Sequence, residues 1–367
     1  MNKKIRAIGA GILVALWVTL TGFMWFGPRQ QISQSERRPL QQMPEITAES
    51  IFGGSFMGEF EDFTLDQFPL RDSFRTLKSL YTYKIMQQRD NNGIYMADGY
   101  AAKLNYPLNE VSVNYALKIF DGIYQQYLQG TNVKTYLALV PDKSYYLAEA
   151  NGYPAMDYEA LAAKMGEGMP WAKPIDLTGT LDITDYYYTD THWRQEKLFG
   201  AAGALCEAMG VPVPQENKYT ATLIDRPFYG VYYGQAALPM ASEELYIMKS
   251  PLLDACKVFN YETNRYQRVY DMQKVNGNDP YDVFLSGAQA LLTIENPKVT
   301  NGKELIIFRD SFGSSIAPLL VENYNKVTVV DLRYVGSAVL GQYLKFSNQD
   351  VLFLYSSLIL NSSTSLK

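Results

Sequence analysis

Leu305-Ile306-Ile307-Phe308-Arg309-Asp310-Ser311-Phe312-Gly313 is the stretch that decides the fold. Leu305–Phe308 is an unbroken apolar run, the mark of a strand buried on both faces. It stops at Arg309, so Ser311 stands at the strand's C-terminal tip. Ser315 to Tyr324 reads as a helix, with Pro318 tolerable only near its first turn. Val327–Leu332 is the next buried strand, Ser337 to Phe346 a second helix and Val351–Tyr355 a third strand. Buried strands alternating with helices predict a parallel sheet covered on both faces. The Ser311 turn and the Asp331-Leu332-Arg333-Tyr334 turn then share the carboxyl edge, where open α/β sheets bind ligands.

The pattern repeats upstream. Asn109 to Gln129 reads as a helix with Val111, Tyr115, Ile119 and Ile123 on one stripe and Gly130 as its stop. The strand Val133–Val140 follows and ends at Pro141-Asp142-Lys143. Asn91-Asn92-Gly93 is a turn signal, and Ile94–Met96 with Tyr100–Leu104 reads as a hairpin behind it. Tyr158 to Met165 is a short helix. From Thr47 to Gln88 apolar residues recur at helical intervals, among them Phe74, Leu77, Leu80 and Tyr81. Residues 211–303 hold short aromatic runs between turn residues, including a hairpin at Val258–Tyr261 and Tyr266–Tyr270, and read as a β-rich insertion or lid.

Ala7 to Gly27 carries no charge, over roughly the length that crosses a bilayer core. Lys3, Lys4 and Arg6 precede it, and Trp25 and Phe26 suit the membrane interface at its far end. Residues 1–27 therefore read as an uncleaved signal-anchor, with a cleaved signal peptide as the alternative. Residues 28–46, with Ser35-Glu36-Arg37-Arg38-Pro39, read as a linker or extended arm, and 47–367 as one exported domain. The expected location is the cell membrane, single-pass with the C-terminal domain outside, or secretion after signal cleavage.

A formal net charge of −5 argues against nucleic acid as a partner. Cys206 and Cys256 form no metal pattern, and a single histidine cannot complete a zinc site, so no metal or cofactor is expected. Cys206 falls on an apolar helix face and fits a buried thiol; pairing with Cys256 is left open.

The single histidine, His192, lies two positions after Asp190 in Tyr187-Tyr188-Thr189-Asp190-Thr191-His192-Trp193. In an extended or turn segment residues i and i+2 point to one side. A carboxylate so placed holds the imidazole through Nδ1–H and frees Nε2 as a base. Ser311 is the candidate nucleophile, and N–H groups at the start of its helix, Ser311 and Gly313 among them, are candidate oxyanion donors. The bland reading makes His192 a helix-cap or surface residue. After it comes an amphipathic helix with Leu198, Ala201, Ala202, Leu205 and Met209 on one face, whose start Asp190 or Thr191 would cap. Arg333 and Tyr334 fit a substrate-binding rim, or an arginine paired with a structural acid. Trp193 fits a sugar platform, or a tryptophan packed under the sheet.

Thr189-Asp190-Thr191-His192-Trp193 together with Asp310-Ser311-Phe312-Gly313 resembles the DHHW family of Gram-positive bacteria. It is also similar to the periplasmic SGNH-hydrolase-like proteins that acetylate alginate. The resemblance runs from about Glu36 to Leu354 and takes in Asp66–Asp72, Asn92–Tyr95, Pro141–Lys143 and Val330–Tyr334. It implies an SGNH-hydrolase-like three-layer α/β/α domain with a mostly parallel sheet. It further implies a Ser311–His192–Asp190 acyltransferase or acetylesterase, a membrane-bound O-acyltransferase as partner, and a polysaccharide acceptor. This chain departs from the family in two places. Thr191 stands where the DHHW pattern has histidine. Tyr281-Asp282-Val283-Phe284 is followed by Leu285-Ser286-Gly287-Ala288 rather than Gly-Gly-Asn, which keeps Gly287 as a candidate oxyanion donor but lacks the Asn side chain. Loss of one such donor costs on the order of a hundredfold in rate. The alternative reading is therefore a non-catalytic glycan-binding or scaffold subunit of a polysaccharide assembly, and below it a purely structural anchored protein.

Overall fold

The computed structural model describes residues 3–367. The chain divides into two compact units: residues up to Asn92 together with Tyr233–Pro239, and Gly93–Tyr232 together with Met240–Lys367. The boundary falls inside the Asn91-Asn92-Gly93 turn.

The first unit is helical: α1 (Lys3–Phe26), α2 (Ala48–Phe52), α3 (Ser55–Asp66) and α4 (Arg71–Leu80), the last prolonged by one π-helical turn, Tyr81–Ile85. The stretch Lys4–Phe26 of α1 is long and apolar enough to cross a membrane. Ion pairs join residues 28–46 to the helices of this unit. Arg38 donates two hydrogen bonds to Asp66, at 2.8 and 2.6 Å, and Glu36 pairs with Arg71 and Arg75.

The second unit is built on an eight-stranded sheet. Its strands are β1 (Lys134–Val140), β2 (Lys173–Ile175), β3 (Lys257–Asn260), β4 (Arg265–Gln267), β5 (Leu291–Glu295), β6 (Glu304–Arg309), β7 (Lys326–Val330) and β8 (Asp350–Ser356), in the order β4-β3-β5-β7-β6-β8-β1-β2. From β7 to β2 every pairing is parallel; β5, β3 and β4 add antiparallel strands on the other side. Part of the expected insertion is thus an extension of the main sheet. Thr220–Leu223 and Tyr246–Lys249 pair separately as a two-stranded sheet.

Side chains alternate along each strand. Leu305, Ile307, Leu352 and Leu354 join one core with α7 (Phe199–Met209) and α8 (Gly313–Leu320). Ile306, Phe308, Val351 and Phe353 join another with α5 (Glu110–Ile123) and α6 (Tyr158–Gly168). Continuous apolar strands are the consequence of covering both faces. Three expectations shift. The buried face of α5 runs through Val113, Ala116, Phe120 and Ile123, while Val111 is exposed. Ser337–Gln342 is a 3₁₀ segment rather than an α-helix. The helix after His192 begins only at Phe199, behind a 3₁₀ turn at Gln195–Lys197.

Candidate active site

Ser311 owes its position to the sharp turn from β6 into α8. Asp310, beside it, turns inward: Oδ1 accepts the Phe312 N–H at 3.0 Å and Oδ2 the Ser356 N–H at 2.8 Å. It pins the turn to the end of β8. Gly313 is needed here, because a Cβ would lie 2.6 Å from the Cβ of Arg309.

Asp190 and His192 come from a tight loop rather than a helix start. Tyr186 bridges Trp193, and the Tyr187 N–H donates to the His192 carbonyl at 3.1 Å. Neither Asp190 nor Thr191 caps α7, because their loop closes before the helix begins. The Asp190 carboxylate instead accepts the His192 backbone N–H on Oδ1 and the Val231 N–H on Oδ2, at 3.0 and 2.8 Å. Gly230 packs so close to this loop that a Cβ would sit 2.3 Å from the Asp190 backbone.

The structure brings Asp190, His192 and Ser311 together in a line. Asp190 Oδ1 is 2.6 Å from His192 Nδ1, and His192 Nε2 is 2.7 Å from Ser311 Oγ. Asp190 is fully buried, and His192 is 7% exposed, so the relay is shielded yet reachable at one end. With the carboxylate on Nδ1, the tautomer that protonates Nδ1 leaves Nε2 to accept from the Ser311 hydroxyl. That is the geometry of an activated oxygen nucleophile.

Of the candidate oxyanion donors, the Gly287 N–H donates to the Phe284 carbonyl at 3.1 Å and the Gly313 N–H to the Asp310 carbonyl at 3.1 Å. The Ser311 N–H has no acceptor among the described residues. Gly287 has φ of +77°, and a Cβ there would meet the Asp282 carboxylate at 2.0 Å, so only glycine fits. Trp193 is fully buried and donates Nε1–H to Ser315 Oγ at 2.8 Å, so it packs under the site and presents no face to a sugar. Arg333 grips Asp331 with two hydrogen bonds, Nε to Oδ1 at 2.9 Å and Nη2 to Oδ2 at 2.6 Å. Tyr334 is half exposed on the same turn.

Three further residues shape the site. The Tyr281 ring lies flat on the His192 imidazole, with centroids 4.0 Å apart and planes 6° apart, and its hydroxyl donates to Ser315 Oγ at 2.8 Å. Stacking of this kind fixes the ring plane. Lys143 and Glu243 hold the loop from two sides. Lys143 Nζ donates to the Tyr187 and Tyr188 carbonyls at 2.9 and 3.2 Å. The Glu243 carboxylate accepts the Thr189 N–H at 2.7 Å. Burial lowers the Lys143 ammonium to about 7, against the pull of Asp190, Glu243 and Asp142. Burial likewise raises the Glu243 carboxyl, opposed by its hydrogen bonds from Thr189 and Tyr188. In sequence Lys143 and Tyr281 are visible only as members of the Pro-Asp-Lys and Tyr-x-x-Phe segments, with no role attached. Glu243 has no local signal.

Both cysteines are buried free thiols. Burial pushes Cys206 up to about 12 and Cys256 up to about 11.

The model described as "DHHW protein" matches residues 181–330. No curated protein matches. Among solved structures, a DHHW family protein from Eubacterium siraeum has a TM-score of 0.62 at 21% identity, over 75% of this chain and 94% of that one. PatB1 of Bacillus cereus, carrying a sulfonyl adduct, has a TM-score of 0.56 at 19% identity, over 73% of this chain and 95% of its own. The O-acetyltransferase domain of Pseudomonas putida AlgJ has a TM-score of 0.44 at 14% identity, over 73% and 92%. At such identities the likeness to the first two speaks for the fold. Residues 181–330, which carry Asp190, His192 and Ser311, match the DHHW family, in agreement with the resemblance of their motifs.

Proposed function

We propose that this chain is an exported, membrane-tethered O-acyltransferase or acetylesterase with an SGNH-hydrolase-like three-layer domain, acting on a polysaccharide through Ser311, His192 and Asp190. The observation that carries the reading is the unbroken relay, 2.6 Å from Asp190 to His192 and 2.7 Å from His192 to Ser311. In the first half-reaction Ser311 Oγ attacks the acyl carbonyl and its proton passes to His192 Nε2. The Ser311 N–H supports the oxyanion, and the imidazolium returns the proton to the departing oxygen, leaving an acyl-serine. In the second half a sugar hydroxyl, or water, gives its proton to Nε2 and takes the acyl group as the acyl–Oγ bond breaks, and Nε2 returns that proton to Ser311 Oγ. Asp190 holds the tautomer and offsets the imidazolium charge throughout. The resemblance to DHHW and alginate-acetylating proteins supports an acetyl group, a polysaccharide acceptor and a membrane-bound acyltransferase as donor. The apolar span of α1 supports the tether.

One observation favours a second reading, a non-catalytic glycan-binding or scaffold subunit. The N–H groups of Gly287 and Gly313 are engaged in turns, and Ala288 supplies no side-chain donor, so two of the three candidate oxyanion donors are already occupied. The two readings separate in one assay. The full chain in detergent, given an aryl acetate with and without an acetyl-accepting oligosaccharide, should release phenol and acetylate the sugar. Ser311→Ala should do neither. Equal rates for wild type and Ser311→Ala, with glycan binding retained in both, would leave the scaffold reading standing.

A further inference from the structure

Helix α4 is inside out. Phe74, Leu77, Tyr81 and Ile85 line one side of α4 and its π-helical turn, and Leu70, the left-handed residue that precedes Arg71, stands at its start. All five are exposed, Leu70 at 72%, Ile85 at 67% and Leu77 at 62%. The polar face is the one turned inward. Arg71 and Arg75 pair with Glu36, and Ser79 is fully buried, donating from Oγ to the Ala236 carbonyl at 2.6 Å. Thr82 is buried on the same side. A helix of a water-soluble domain has the opposite arrangement. From Phe74 to Ile85 the stripe extends about 16 Å at 1.5 Å per residue, and Lys78 and Lys84 flank it on either edge.

The surroundings of α4 say what covers the stripe. Phe23 and Met24, near the exit of α1, line one cavity of about 500 Å³ with Phe68–Ser73, where α4 begins. Trp25 meets Phe60 of α3 edge-on at 6.2 Å. A tryptophan closing an apolar span marks the level of the membrane–water interface. The stripe therefore starts at the depth where α1 leaves the bilayer. An apolar stripe bordered by lysines is the pattern of a helix lying in the plane of an anionic membrane surface.

We propose that α4 and its continuation to Ile85 are bedded in the surface of the bilayer that α1 enters, the five apolar side chains toward the acyl chains and Lys78 and Lys84 toward anionic headgroups. This rests on α1 being a membrane span, and not on the acyl-transfer chemistry.

The test is nitroxide accessibility in the full chain, reconstituted in nanodiscs of phosphatidylcholine with or without phosphatidylglycerol. Single labels go at Leu77→Cys, at Leu13→Cys inside α1, and at Lys118→Cys on the water-facing side of α5; Cys206 and Cys256 are buried and resist labelling. The proposal expects the Leu77 label to collide with oxygen in preference to a water-soluble nickel chelate, as the Leu13 label does. Chelate collisions should be at least threefold below those at Lys118, and lower again with phosphatidylglycerol. A second label, at Ile85→Cys, should lose this shelter when Phe74→Glu and Leu77→Glu are introduced. A Leu77 label as open to the chelate as Lys118, with Leu13 sheltered, overturns the proposal alone. Leu77 sheltered in native membranes but open in nanodiscs assigns the face to a protein partner and also overturns it. An open Leu13 label removes the membrane span and the proposal with it. None of these readings depends on turnover.

Discussion

Helix α7 and helix α4 carry the same kind of apolar spacing and end in opposite situations. In α7, Ala201, Ala202, Leu205, Cys206 and Met209 are buried in the core against the sheet. In α4 Phe74 and Leu77 face outward, Leu80 is half-buried and the buried residue is Ser79. Periodicity reveals that a helix has two faces; what lies against each is decided elsewhere in the chain. The unit containing α7 supplies its own cover, a sheet buried on both sides with a polar relay at its edge. The unit containing α4 leaves its apolar face for a surface outside the chain.

The contrast is broken first at the relay. Ser311→Ala and His192→Ala should each lower kcat for aryl acetate by at least about 10³-fold, and the double variant should be little worse than either, because the residues act as a unit. Circular dichroism should be unchanged, and additive losses would argue against a shared relay. Next comes the core. Leu205→Ala should cost about 2–5 kcal/mol by thermal or denaturant unfolding. Its counterpart Leu77→Ala should stay within about 0.5 kcal/mol in detergent-free buffer for whatever fraction remains soluble. Equal costs would erase the distinction between the two helices.

A smaller effect is expected at Tyr281. Tyr281→Leu removes the ring that fixes the imidazole plane and should lower kcat about 3-fold or more, within the range of one aromatic contact. Tyr281→Phe keeps the ring, loses only the bond to Ser315, and should recover most of the rate. The gentlest probe is Lys143. Its folded-state value of about 7 lies below the ordinary lysine value of about 10.4. Between the two the unfolded chain binds the extra proton, so this group makes stability rise with pH. Lys143→Met should reduce the upward slope of stability between about pH 7 and 9, seen in denaturant midpoints.

Much of the second unit is legible because its strands are continuous apolar runs and its serine stands where such a run stops. Asp190 and His192 are legible because the only histidine lies two positions after an aspartate. Tyr281, Lys143 and Glu243 are not, since an ordinary tyrosine, lysine or glutamate gains meaning only from a loop brought to it from far along the chain. The antiparallel extension is hidden for another reason: β3 and β4 are short, and their place in the sheet depends on pairing with β5. The engaged N–H of Gly287 follows from a turn closed on Phe284, invisible in residue type. The outward face of α4 is misleading in sequence because helical spacing normally implies a core.

The central claim is that Ser311 carries the acyl group. The direct measurement is mass spectrometry of the full chain, quenched in acid seconds after mixing with an aryl acetate and digested. The account predicts an added acetyl on the peptide containing Ser311, absent in Ser311→Ala and lost on incubation with acceptor. An unmodified Ser311 peptide under conditions where wild type releases phenol, or the same acetyl signal from Ser311→Ala, would contradict it.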